Sequence, residues 1–144
     1  MAKRKPLTCA KLADKAAVLL QRLRRLEESD DDGICTCITC GRRQHFSLMD
    51  GGHFISRTYT VHKLNPMNIH PQCTGCNGYK GSNPIAYTLA MIDKFSHEWV
   101  ENMESSKRDR MKWNRADLNE MIEDLKHKIK EQEARLGPYL TNPD

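Results

Sequence analysis

Two Cys-x-x-Cys pairs, Cys37 with Cys40 in CITC and Cys73 with Cys76 in CTGC, stand 32 residues apart, and they constrain the fold more than any other feature of the chain. Each pair offers two thiolates from one tight turn to neighbouring vertices of a tetrahedron. Four thiolates close the coordination sphere of zinc and leave no position for water, so the expected cofactor is one structural Zn²⁺ per chain. In a secreted chain the six cysteines would instead form three disulfides. The basic N-terminus lacks the apolar stretch of a secretion signal, however, and paired Cys-x-x-Cys motifs in a reducing compartment are metal ligands. Cys35 would break the spacing to Cys40, so Cys9 and Cys35 read as ordinary thiols.

A metal staple fits the composition of the segment that carries it. Between Ile34 and Asn83 the chain is cut by Gly41, Gly51, Gly52, Pro66, Pro71, Gly75, Gly78 and Gly81 and holds few large apolar residues. An ion that cross-links loop ends can substitute for the missing core. The flanks read differently. Leu12, Ala16, Leu19, Leu20, Leu23 and Leu26 recur at helical spacing, and Gly33 closes the acidic run that follows. Residues from Tyr87 to Val100 predict one helix or two short ones packed on the metal-bound middle. Asn114 is a suitable N-cap for a long helix whose stripe of Leu118, Met121, Ile122, Leu125, Ile129 and Leu136 runs to Gly137 and Pro138. That stripe predicts packing against the N-terminal helix, with a homodimer through the terminal helices as a further option. The 144 residues therefore divide into a basic arm and amphipathic helix (1–33), a zinc-bound core (34–83) and a helical C-terminal region (84–144).

The net charge of +4 is unevenly spread. Residues 1–25 hold eight basic side chains against Asp14 alone, and residues 34–83 hold five against Asp50 alone, while 26–33 and 84–144 are net acidic. The arm, with Lys3, Arg4 and Lys5, and the Cys-rich middle are the parts suited to a polyanion. A charge run of this kind also solvates helix faces. No apolar run is long enough to span a bilayer, so no membrane partner is expected, and the chain reads as a cytoplasmic protein.

The loop between the two cysteine pairs is rich in groups that bind cations or move protons. Asp50, His53, His62, Asn65, Asn68 and His70 lie within it, and Asn77 and Lys80 follow the last cysteine. A hard cation and a water-activating base need carboxylate, carboxamide and imidazole groups of this kind. Singly, each has a plainer reading: Asp50 can cap a turn, asparagines are frequent in loops, and one histidine is more often a packing residue.

Taken together, MDGGHFISR (49–57) and NPMNIHPQCTGCNGYKGSN (65–83) resemble an HNH, or ββα-metal, nuclease finger. The wider run CITCG, DGGHF, NIHPQC and CNGYKGSN with its helical tail resembles the phage NinG family over about residues 15–136. The resemblance implies an α+β fold, a zinc-stapled ββα-metal finger flanked by N- and C-terminal helices. It also implies roles: His53 as general base, Asn68 holding the loop that positions it, and Asn77 helping to hold one catalytic Mg²⁺ or Mn²⁺. Many ββα-metal nucleases carry a metal-binding acid directly before the catalytic histidine, whereas Gly52 stands there in this chain. Asp50, the only acid in 34–83, is then the candidate by elimination, with His70 as alternative ligand.

The implied activity is phage recombination: metal-dependent cleavage of phosphodiesters in branched DNA such as D-loops and Holliday-type junctions, in the bacterial host cytoplasm. Backbone contacts are expected from Arg42, Arg43, Arg57, Lys63, Lys80, Lys3, Arg4 and Lys5. The alternatives are a non-catalytic zinc-finger DNA-binding mediator and a sequence-specific HNH endonuclease.

Overall fold

The structure is a computed structural model that describes residues 2–143. Its first helix, α1 (Cys9–Glu27), starts where the Thr8 side chain accepts a hydrogen bond from the Lys11 amide, and its apolar face of Leu12, Ala13, Ala16, Leu20, Leu23 and Leu26 is buried. The partner of that face is α5 (Arg115–Leu136), which Asn114 caps by accepting from the Ala116 and Asp117 amides. Leu118, Ile122, Leu125, Ile129 and Leu136 are buried in the shared core, so the heptad-like stripe is an intramolecular interface.

Two small antiparallel sheets lie between these helices in sequence. Strands β1 (Ile34–Thr36) and β2 (Arg43–His45) flank the first cysteine pair, and β3 (Met49–His53) pairs with β4 (Ile69–Cys73), which runs directly into the second. Beyond β4 a single π-helical turn, Gly75–Tyr79, carries Cys76 and Asn77. The short helix α2 (Thr60–Lys63) sits in the β3–β4 connection. Past the finger come two short helices, α3 (Pro84–Lys94) and α4 (His97–Ser106), the second of the two arrangements expected for this segment. Tyr87, Met91 and Val100 form a satellite cluster with Phe54, Phe95 and Trp99.

The cysteine-rich segment, the finger, is also held by apolar packing. Phe46, Met49 and Ile69 join the α1–α5 core. Arg24, buried in the middle of α1, donates from Nε to the Ile69 carbonyl at 3.0 Å while its other nitrogens pair with Glu27 and Glu28. A charge at that depth persists because each of its three nitrogens has a partner and two of those partners are carboxylates. Helix α1 is thus a wall of the finger as well as a flanking helix, and the three sequence segments share one core. Among the described residues, no helix is long and apolar enough to cross a membrane.

Candidate active site

The sulfurs of Cys37, Cys40, Cys73 and Cys76 all lie within 4.8 Å of one another, and those of Cys40 and Cys73 are 3.7 Å apart. Zinc–sulfur bonds of about 2.3 Å in a tetrahedron require sulfurs separated by about 3.8 Å, so the four thiols can hold a structural metal such as zinc. The surroundings of Cys37 and Cys76 favour thiolates, whereas the thiol of Cys40, facing the other three sulfurs, is pushed up to about 12. Burial opposes ionisation of Cys37, but the Thr39 hydroxyl and neighbouring backbone amides outweigh it and bring the thiol down to about 6. The Thr39 hydroxyl lies 3.3 Å from Cys37 Sγ, and Asn83 Nδ2 donates to Cys76 Sγ at 3.7 Å. Cys35 is buried away from this cluster in β1, where desolvation pushes its thiol up to about 11, as an inert structural thiol requires.

The four cysteines meet where β4 runs into the π-helical turn, and these two elements place the polar groups. Asn77 Nδ2 donates to Asp50 Oδ2 at 3.1 Å, bringing together the two residues assigned to a hard cation from opposite ends of the finger. Position 52 is crowded: a Cβ there would fall 1.9 Å from the buried Gln72 Oε1 and 2.7 Å from its Cδ. An acidic side chain next to His53 has no room.

His53 ends β3. Its Nε2 lies 3.1 Å from the Lys63 carbonyl, which can only accept, so the proton sits on Nε2 and the lone pair on Nδ1. Burial holds the imidazole below its ordinary value; the Lys63 carbonyl opposes this, and the charges of Arg57 and Lys63 add to the depression. A neutral ring with a fixed tautomer is what a general base needs. Asn68, fully buried, fixes the connection after His53. Its Nδ2 donates to the carbonyls of Ile55 at 2.9 Å and His62 at 3.1 Å, and its Oδ1 accepts from the Ile55 amide at 2.7 Å.

Asp50, His53 and Asn77 line one open cleft of about 650 Å³, together with Gln21, Arg25 and Arg57. Gln21 and Arg25 come from α1 and were missed by sequence reasoning, which treated α1 as packing and charge. Gln21 Nε2 lies 3.5 Å from His53 Nδ1, and Arg25 is anchored to the Met49 and Gln21 carbonyls. The signal available in the sequence was the off-stripe polar side of α1, which has no distinctive spacing.

The family model for the bacteriophage lambda NinG protein matches residues 3–135. The chain belongs to the NinG family. It is 28% identical to protein ninG of Escherichia phage lambda over 107 residues, covering 74% of this chain and 50% of that protein. It is 30% identical to protein ninG of Escherichia phage 933W over 89 residues (61% and 42%), and 26% identical to that of Salmonella phage P22 over 107 residues (74% and 51%). The chain thus spans about half the length of the NinG proteins it matches. No solved structure matches it significantly.

Other candidate residues of this NinG chain lie elsewhere. His70, the alternative ligand for the catalytic ion, sits opposite Gly52 in the β3–β4 register but is buried beneath Tyr87, whose hydroxyl is 3.3 Å from Nδ1. It does not line the cleft, because its side of β4 is covered by the aromatic cluster. Of the expected DNA contacts only Arg57 lines the cleft. Lys63 pairs with Asp14 and lies over the Trp113 ring, and Arg43 pairs with Asp30. Arg42 and Lys80 are exposed, as are Lys3, Arg4 and Lys5 ahead of α1.

Proposed function

We propose that this NinG protein is a metal-dependent endonuclease of the HNH type that hydrolyses phosphodiesters in branched DNA during phage recombination. The observation that carries the reading is the convergence, on one cleft, of a tautomer-fixed His53 with the Asp50–Asn77 pair. A bare DNA-binding finger has no use for that combination.

The residues divide the work as follows. His53 takes a proton at Nδ1 from the water that attacks phosphorus, its Nε2–H held by the Lys63 carbonyl. Asn68 keeps the loop on which that carbonyl depends. The hydrogen bond between Asp50 and Asn77 leaves one carboxylate oxygen and the carboxamide oxygen as hard donors, a set that suits Mg²⁺ or Mn²⁺. Such an ion, when bound, would stabilise charge developing on the phosphate and the leaving oxygen. Arg25 and Arg57 supply positive charge on the cleft wall for the phosphate itself.

The test is a Mg²⁺-dependent nicking assay on a synthetic four-way junction and on linear duplexes of the same sequence. The wild-type protein should cut the junction faster. His53→Ala should lose about 10²–10⁴-fold in rate with junction affinity unchanged. Full activity of His53→Ala would remove the assigned base, and equal rates on both DNAs would remove branch selectivity.

A further inference from the structure

The C-terminal region 84–144 is net acidic, yet half of its ten basic residues fall in nine positions: Lys107, Arg108, Arg110, Lys112 and Arg115, with Asp109 the single acid among them. The fold gathers them in the connection between α4 and α5 and lays it beside the finger. The Met111 amide donates to Thr60 Oγ1 at 3.0 Å, and Lys107 Nζ lies 5.3 Å from the centre of the Tyr59 ring. Residues 58–60 and 107–111 together line a groove of about 500 Å³.

That groove is joined to the cleft by the chain itself. Ser56 and Arg57 line the cleft, and Thr58, Tyr59 and Thr60, the next three residues, line the groove. Five residues span at most about 17 Å, and a duplex presents about one phosphate charge per 1.7 Å of axis, so one DNA arm is long enough to cover both.

The charges have little structural use where they are. Lys107 pairs with Glu104, but Arg108, Arg110 and Lys112 have no carboxylate partner among the described residues. Arg115 opens α5, at the positive end of the helix dipole, where a cation weakens the helix. Three cations without a carboxylate partner among the described residues, beside a cleft that already presents Arg25 and Arg57, fit an external polyanion.

We propose that the 107–112 connection and the Thr58–Thr60 segment form a second backbone-binding surface, which grips the phosphates of a duplex arm leaving the cleft. This rests on the nuclease reading for the identity of the polyanion and goes beyond it in naming the surface. The surface reads charge and carries no base specificity, because its contacts are cations directed at phosphate.

The experiment compares the wild-type protein with Arg108→Ala/Arg110→Ala/Lys112→Ala and with the charge-retaining variant Arg108→Lys/Arg110→Lys. Affinity for a four-way junction and for a 30-base-pair duplex is measured in EDTA-free buffer with Ca²⁺ as the added ion, across a salt series. The alanine variant should bind on the order of tenfold more weakly, with a log–log salt slope shallower by about 2.7, while the lysine variant should restore both. Hydrolysis of bis(p-nitrophenyl) phosphate with Mg²⁺ provides a separate readout and should be unchanged in both variants. Equal affinity and equal slope in the alanine variant, at unaltered zinc content and melting temperature, would overturn the surface. Absence of hydrolysis by the wild-type protein would instead count against the nuclease reading and leave the binding comparison standing.

Discussion

Gln21 of the N-terminal helix places its side-chain nitrogen 3.5 Å from Nδ1 of His53, the ring nitrogen that does not face the Lys63 carbonyl. Gly51 permits the approach: a Cβ there would fall 2.7 Å from Gln21 Cβ. Helix α1 therefore closes one side of the cleft around Nδ1, the nitrogen proposed to activate water. If His53 is the base as proposed, Gln21 positions it, and Gln21→Ala should lower kcat about tenfold with little change in melting temperature. Gln21→Glu should place a carboxylate beside the imidazole, raise its pKa and move the acid limb of the pH–rate profile to higher pH. A purely structural Gln21 would leave that limb where it is.

The Asp50–Asn77 pair should set the requirement for divalent cation. In Asp50→Ala, the Mg²⁺ concentration for half-maximal cleavage should rise on the order of 10–100-fold, with Asn77→Ala moving in the same direction. Bound zinc should stay at the wild-type level in both. An unchanged Mg²⁺ dependence would show that the cation binds elsewhere.

Elemental analysis should find one zinc ion per chain. Cys73 ends β4 and its sulfur sits against Cys40, so Cys73→Ser removes a ligand at the junction of both cysteine pairs. Structural zinc binding contributes on the order of 10 kcal/mol in small zinc-dependent folds. The substitution, or a strong chelator, should therefore collapse the finger, seen as loss of amide-exchange protection in β3 and β4. Retained protection without metal would mean that packing against α1 suffices.

His70 makes the protein acid-sensitive. Burial, reinforced by the charges of Lys94 and Arg24, pushes its imidazole down to about 3. In the unfolded chain the same ring protonates near 6.5, so below that pH the unfolded state binds the proton first and stability falls as pH falls. At pH 5 the loss from His70 should be about 2 kcal/mol, measured as a shift in the urea midpoint relative to pH 7. The His70 ring resonances of the native protein should not titrate above pH 5, and a titration near 6.5 would refute the burial argument.

Local patterns made part of this molecule legible. The two Cys-x-x-Cys pairs specify their cluster because two-residue spacing puts thiols on one turn whatever surrounds them. The stripes of α1 and α5 specify their mutual packing because helical periodicity places apolar side chains on one face. His53, Asn68 and Asn77 stand out through their order around the second cysteine pair, and Asp50 through being the only acid in its segment.

The tertiary structure decided what depends on which surfaces meet. Gln21 and Arg25 join the site because α1 packs against β3, a contact of elements far apart in the chain. His70 leaves it because the aromatic cluster covers its side of β4. The basic connection at 107–112 comes to lie beside Thr60 although net charge had marked its region as acidic, since net charge sums over a segment while folding sorts the same residues into faces. Sequence alone determined the four-cysteine cluster and the chemistry of the residues beside it. The fold decided which of those residues share a cleft, because proximity there is set by the packing of distant helices and strands.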